Sequence, residues 1–402
     1  MIQLSDIQAA LSRIRADIRV SPCPRSETFS GLTGNSIFLK MDNQQRTGAF
    51  KERGALNKLL TLTAEERGRG VIAASAGNHA QGVSYHAGRH GVRARIVMPL
   101  PTPLTKVSAT RAYGAEVLLH GTNYDEAYDK AVEQSRNDSL ILIHAFDDEA
   151  VIAGQGTLGL EILQQHPEIE VIVSPIGGGG LIGGIACAVK ETRPSIKVFG
   201  VQPARIPSMK AAVAAGKPVT LESAKTIADG IAVRRAGDCT LPLVQKYVDD
   251  IVTVEEEEIA NAILLLLERE KTLAEGAGAA AIAAVLNQKI PLHNKRVAVL
   301  VCGGNIDVTL LARIIERGLV KDGRLVRLRV HLPDYPGALY RLTGILADHR
   351  ANIVETSYDR AYHGVTLGDT AIDITMETRG PEHIAELLRA LGAAGYAHER
   401  IL

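Results

Sequence analysis

Thr47-Gly48-Ala49-Phe50-Lys51-Glu52-Arg53-Gly54-Ala55 sets a lysine behind an aromatic residue in a turn of small residues, and a helical pattern runs on from it through Leu60. A lysine at such a position can be partly desolvated. Desolvation disfavours the ammonium and lowers its pKa, the condition a Schiff-base lysine requires. Taken alone, the stretch is better read as a solvated lysine at a helix start. Its meaning depends on what the rest of the chain brings to it.

The chain has 402 residues, 46% apolar and 22% charged, enough for two or three domains around a large core. Lys plus Arg and Asp plus Glu both number 45, so no net field points to nucleic acid or to an anionic membrane. Cys23, Cys187, Cys239 and Cys302 are far apart in sequence, which leaves no zinc knuckle and no redox Cys-x-x-Cys. With no signal-peptide pattern at the N-terminus, the expectation is a cytoplasmic protein with reduced thiols. The longest apolar run, Val171 to Val189, is interrupted by four glycines. A strand, a turn and a helix explain it better than a membrane span. Few aromatics and 38 glycines suit an α/β protein whose parallel strands are buried on both faces.

The pattern alternates strand and helix over most of the chain. Strands are expected at 36–41, 71–75, 95–98, 115–119, 140–144, 171–174, 197–201 and 296–301. Helices are expected between them, among them 80–90, 151–165 and 181–192. Residues 204–250 read as less regular. After Lys321-Asp322-Gly323 the pattern changes to strand, helix, two strands, helix and a short strand, the βαββαβ order of a ferredoxin-like unit. The strands around its centre are expected at 353–360 and 367–376.

Four glycine-dependent turns follow predicted strands, where open α/β sheets bind ligands. Gly177-Gly178-Gly179-Gly180 can form a phosphate nest at a helix N-terminus. No Lys-Ser/Thr pair follows it, so it is not a Walker A loop. Ser75-Ala76-Gly77-Asn78-His79 offers a hydroxyl, an amide and backbone N–H groups, suited to a carboxylate or a phenolic oxygen. It is read equally well as an ordinary helix start with Asn78 as N-cap. Cys302 precedes Gly303-Gly304-Asn305 and reads on its own as a small buried hydrophobe. His86 and His90, four apart, read as a solvated helix face.

Taken together, the Phe-Lys-x-Arg-Gly-Ala stretch, Ser-Ala-Gly-Asn-His, the tetraglycine loop and Cys-Gly-Gly-Asn resemble the fold-type-II pyridoxal-phosphate enzymes, and among them the threonine dehydratases (threonine ammonia-lyases). The resemblance implies a tryptophan-synthase-β-like catalytic domain with open parallel sheets over residues 1–320, a small subdomain at roughly 46–149 inserted in it. It implies pyridoxal 5'-phosphate held through an imine to Lys51 and flanked by Phe50. Asn78 would meet the cofactor's 3-hydroxyl, Gly177, Gly178, Gly179, Gly180 and Leu181 its phosphate, and Cys302, where the family more often has serine, its ring nitrogen. Ser75, Asn78 and His79 would lie near the substrate carboxylate. Glu275 would be a pocket residue near the ring, its role open. The reaction implied is β-elimination and deamination of L-threonine to 2-oxobutanoate and ammonia, with Lys51 as base, and of L-serine to pyruvate by the same path.

Two departures bear on the choice within the family. Related serine racemases carry a serine where this chain has Ala76. Their metal-binding stretch is matched here by Gln202 and Ser208, so no metal is expected. Residues 325–402, with Asp334-Tyr335-Pro336-Gly337-Ala338-Leu339, resemble an ACT regulatory domain. The resemblance implies an amino-acid effector such as isoleucine near Gly337 and Asn352, and a homodimer or homotetramer. Alternatives are a serine racemase/dehydratase or hydroxyaspartate ammonia-lyase of the same fold, and, in a different class, an amino-acid sensor lacking catalysis. A nucleotide-binding enzyme is weakened by the missing Walker and dinucleotide signatures.

Overall fold

The computed structural model of the chain describes residues 1–359 and 369–401. Arg360 and Leu367, the expected ends of two C-terminal strands, lie outside the described residues. The chain forms two compact units, Met1–Asp307 and Val308–Leu402.

The first unit holds two sheets. One runs β1 (Arg25–Ser26), β2 (Ser36–Met41), β10 (Arg296–Val301), β7 (Val171–Pro175), β8 (Lys197–Pro203), β9 (Asp250–Val254) across its width. All its neighbours are parallel except the β1–β2 pair. The other runs β5 (Glu116–Leu119), β4 (Ala94–Met98), β3 (Val71–Ala74), β6 (Ile141–Leu142), all parallel. Every residue of β7 and of β3 is buried, as is all of β10 after Arg296. That is why these strands read as continuous apolar runs rather than alternating ones. The alanine-rich helix Gly276–Leu286 is buried throughout its length except Leu286 and packs against β7, β8, β9 and β10.

One helix, Glu149–Gln165, positions the site from behind. It packs on the helix Lys51–Thr61 and on the helix Gly180–Thr192 that follows the glycine loop. Both contacts are made through backbone. A Cβ on Gly154 would stand 2.6 Å from the Arg53 carbonyl oxygen, and one on Gly184 would stand 2.4 Å from that of Ile152. The lysine and the glycine loop are thereby referenced to one rigid element.

Beneath the lysine lies a buried charge network. Arg53 donates to Asp42 (Nε 2.8 Å, Nη2 2.9 Å), to Glu161 (Nη1 2.6 Å, Nη2 2.9 Å) and to Thr157 Oγ1 (3.1 Å). Lys40 donates to Glu161 (2.7 Å), Gln165 (3.0 Å) and the Ser21 carbonyl (2.8 Å). All four charged side chains are buried, and they join β2, the lysine helix and the helix Glu149–Gln165. Burial alone would raise the Asp42 carboxyl; Arg53 and Lys40 outweigh it and hold it below the usual range.

The second unit carries the helix Val308–Lys321 and then β11 (Leu325–Pro333), a helix Ala338–Asp348, β12 (Asn352–Asp359), β13 (Asp369–Glu377), a helix Pro381–Ala393 and β14 (His398–Ile401). Its sheet is antiparallel in the order β12-β13-β11-β14, the ferredoxin-like βαββαβ arrangement. Along β11 the buried residues Val326, Leu328, Val330 and Leu332 alternate with more exposed ones, so one face meets the two helices.

Several expected boundaries move. The strand expected at 140–144 is only Ile141–Leu142, because His144 Nδ1 accepts the Phe146 and Asp147 N–H groups and bends the chain. The irregular stretch 204–250 contains helices Ser208–Ala215 and Thr240–Tyr247. His86 is fully buried against Glu52, 3.4 Å away, and is not on a solvated face.

Candidate active site

The turn that presents Lys51 is pinned by a segment some 250 residues further on. Ala49 bridges Gly303, the Phe50 N–H donates to the Cys302 carbonyl (3.0 Å), and the Gly304 N–H donates to Gly48 (2.9 Å). Asn305 Nδ2 donates to the Thr47 carbonyl at 2.7 Å. Residues 47–50 and 302–305 therefore form a short antiparallel ladder at the carboxyl end of β10. Gly48, at φ +76°, sits where a Cβ would stand 2.5 Å from Asn305 Oδ1, so glycine is required by both conformation and space.

Lys51 is the first residue of its helix. It is half-buried, with Nζ 2.7 Å from the Ala145 carbonyl and 5.2 Å from the Phe50 ring centroid. Burial of the ammonium lowers its pKa to about 8, against the opposing pull of Cys302 and Glu275.

The neighbouring residue, Phe146, is the wall of the glycine loop. A Cβ on Gly178 would lie 2.3 Å from the Phe146 ring, and one on Gly180 2.7 Å from its carbonyl oxygen. Gly179, at φ +100°, is the N-cap of the helix Gly180–Thr192. Thr240 Oγ1 donates to the Gly178 carbonyl at 2.6 Å and fixes the loop from the other side. The helix begins with N–H groups that have no intrahelical acceptor, those of Gly180 and Leu181 among them, which makes this turn an anion nest. Asp147 in turn accepts the N–H groups of Asp238, Cys239 and Thr240 (2.9 to 3.2 Å) and holds that second wall in place.

Asn78 opens the helix Asn78–Arg89 as its first residue, with Gly77 as the cap, so its side chain is not used in capping. It is half-buried, and its Nδ2 donates to Glu275 Oε1 at 2.7 Å while its Oδ1 accepts from Asn305 Nδ2 at 2.8 Å. Glu275 is buried as the N-cap of the helix Gly276–Leu286, and its N–H donates to the Gly303 carbonyl (3.0 Å). Burial, with Asp229 nearby, raises its pKa to about 7. Cys302 is buried, and burial together with Glu275 pushes its thiol well above the ordinary range.

Ser75 Oγ accepts the Gly77 N–H at 3.1 Å. His79 is buried with Nε2 2.9 Å from the Ile143 carbonyl. A carbonyl only accepts, so Nε2 carries the proton and Nδ1 is left as a bare acceptor without a partner. Burial and Lys51 hold His79 neutral, with a pKa of about 3. Gln202 and Ser208 are buried and bond to backbone: Gln202 Oε1 accepts from Lys210 N (2.9 Å), and Ser208 Oγ donates to the Val233 carbonyl (2.5 Å). Gly337 and Asn352 both lie in the second unit. Gly337, at φ +94°, caps the helix Ala338–Asp348. Asn352 lines a shallow groove with Tyr340 and Thr343 and donates to Glu377 at 2.8 Å.

The structure thus brings Phe50, Lys51, Asn78 and Cys302 into one hydrogen-bonded assembly, with the glycine loop reached through Ala145 and Phe146. Sequence reading missed Phe146, Asp147 and Thr240, which carry no motif and matter only through where the chain folds them. A half-buried amine of lowered basicity, an anion nest and a neutral thiol fit pyridoxal phosphate, an aldehyde that carries a phosphate and a ring nitrogen. On fold and site together, the class of protein defined is a pyridoxal-phosphate enzyme of the open parallel-sheet type.

Comparison with known proteins gives the same result. Residues 14–303 match the family model described as "Pyridoxal-phosphate dependent enzyme". L-threonine ammonia-lyase of Thermotoga maritima is 48% identical over 396 residues, 98% of each chain. The catabolic L-threonine dehydratase of Escherichia coli K12 is 44% identical over 315 residues, 78% of this chain and 96% of that one. The processed form of threonine deaminase isoform 2 from Solanum lycopersicum superposes with a TM-score of 0.75 at 38% identity, covering 78% of this chain and 86% of that one. The chain belongs to the pyridoxal-phosphate dependent enzymes, in the threonine ammonia-lyase (threonine dehydratase) branch, and is a carbon–nitrogen lyase.

Proposed function

We propose that the chain converts L-threonine to 2-oxobutanoate and ammonia, and L-serine to pyruvate at the same site. The observation that carries this reading is Lys51, an amine brought to about 8 by burial and fixed beside the Cys302 turn.

Lys51, beside Phe50, would hold the cofactor; Gly177, Gly178, Gly179, Gly180 and Leu181 would hold its phosphate, Asn78 its 3-oxygen, and Cys302 would meet its ring nitrogen. The bound cofactor supplies the electron sink that makes the substrate's α-proton removable. Freed by the incoming substrate's amino group, Lys51 takes that proton, so that the α-proton and the β-hydroxyl are lost together as water; an amine whose pKa burial lowers to about 8 is partly neutral at physiological pH, as a general base requires. Ser75 and the N–H groups at the start of the helix Asn78–Arg89 receive the substrate carboxylate, with His79 as a neutral neighbour. Cys302 stays a thiol and adds no charge at the ring nitrogen. Ala76 offers a methyl group where a second base would be needed for racemisation, which leaves Lys51 as the base and favours elimination.

The second unit serves as an ACT-type regulatory domain. Its βαββαβ fold and the groove at Asn352 support an amino-acid effector such as isoleucine, and the working form is a homodimer or homotetramer in the cytoplasm. The test is product analysis of the holoprotein with L-threonine, L-serine and threo-3-hydroxyaspartate, each with and without isoleucine. Threonine is expected to give 2-oxobutanoate at the highest kcat/KM, and isoleucine to slow it. Enantiomer formed faster than oxoacid, or no turnover of threonine, would overturn the reading.

A further inference from the structure

The amide of Asn78 has two hydrogens and one oxygen, and which of these meets the cofactor is set by a chain of contacts that begins away from it. The Thr47 carbonyl can only accept, so the group 2.7 Å from it is the Asn305 nitrogen. The second hydrogen of that nitrogen is directed to the Asn78 oxygen at 2.8 Å. At the other end the Glu275 carboxylate accepts from the Asn78 nitrogen at 2.7 Å. The Thr47 carbonyl thus fixes the polarity of both amides, and Glu275 accepts at the far end through Oε1 whether ionised or neutral. The Asn78 oxygen is occupied and one of its hydrogens is occupied; the other hydrogen is the donor left over.

We infer that Asn305 and Glu275 are positioning residues that force Asn78 to present an N–H, and never its oxygen, to the cofactor. The inference rests on the assignment of Asn78 to the cofactor's 3-oxygen. An N–H donor there stabilises that oxygen as an anion, whereas an amide oxygen would repel it. Glycine at 303 keeps the relay closed: a Cβ there would lie 2.3 Å from Glu275 Oε1 and 3.1 Å from Asn78 Nδ2.

The test compares the wild-type holoenzyme with Asn305→Ala, Glu275→Gln, Asn78→Ala and the double variant Asn78→Ala/Asn305→Ala. It reads the visible and near-ultraviolet absorption of the bound cofactor and the cofactor dissociation constant, with far-ultraviolet circular dichroism as the check on folding. Asn305→Ala is expected to raise the dissociation constant roughly tenfold, the loss of one oriented hydrogen bond, and to shift absorption from the visible to the near-ultraviolet band. Glu275→Gln, which keeps a carbonyl acceptor, is expected to preserve the wild-type spectrum. If Asn305 acts through Asn78, adding Asn305→Ala to Asn78→Ala changes neither readout further. An Asn305→Ala spectrum and affinity equal to wild type, or full additivity in the double variant, would overturn the inference while leaving the assigned function standing. A misfolded Asn305→Ala leaves Asn305→Asp to decide, a residue of the same size with no N–H to give Asn78, and an unchanged spectrum and affinity there overturns it equally. A wild-type protein with no visible band would sink both.

Discussion

Lys51 looks like a surface residue in the sequence and is a strained charge in the fold. Its pKa falls from 10.5 to about 8 because burial disfavours the ammonium. In the cofactor-free chain the unfolded state therefore binds more protons between those two values, so stability rises as pH increases from about 8 to 10.5. Below pH 8 the charged amine costs about 3 kcal/mol at most. Lys51→Met is expected to make the cofactor-free protein more resistant to urea at pH 7, with the gain shrinking toward pH 10, while abolishing deamination. Denaturation midpoints across that pH range check it; a variant less stable than wild type at pH 7 contradicts it. The motif made Lys51 a candidate, but its lowered basicity comes from burial, against the opposing pull of Cys302 and Glu275, and burial is a property of the fold that no local pattern shows.

At the scale of elements, the sequence showed strand types and hid the contacts between elements. Continuous apolar runs at β3, β7 and β10 and alternation at β11 distinguish the buried parallel sheets from the one-faced antiparallel sheet, because side-chain exposure follows the number of covered faces. The ladder joining residues 47–50 to 302–305 left no trace beyond glycines, since its bonds are all backbone or amide. The network under the lysine helix is equally hidden: Lys40, Asp42, Arg53 and Glu161 are residue types that normally face water, and only folding shows each burying the others. Removing Arg53 takes the ion-pair partner from buried Asp42 and leaves Glu161 with Lys40 alone. Arg53→Met is therefore expected to lower stability by roughly 3–5 kcal/mol and to loosen the turn that carries Lys51. Equilibrium unfolding of the variant measures the loss, and a change under about 1 kcal/mol would show that the network is not a support.

At the scale of the whole molecule, the chain is a lyase unit joined to a separate ferredoxin-like unit. The match to the Escherichia coli enzyme covers only 78% of this chain, yet 96% of that one. Among the described residues, no helix is long and apolar enough to cross a membrane. The order of the four glycine turns was legible because each follows a strand. Their convergence on Lys51 was not, because it depends on the central place of β10 between β2 and β7.

The proposed chemistry stands or falls with Lys51 as the residue that holds the cofactor. Borohydride reduction of the holoprotein, followed by digestion and mass spectrometry, locates the attachment. One pyridoxyl-phosphate label per chain is expected, on the peptide carrying Lys51. A label on any other lysine, or none on a coloured protein, would contradict it.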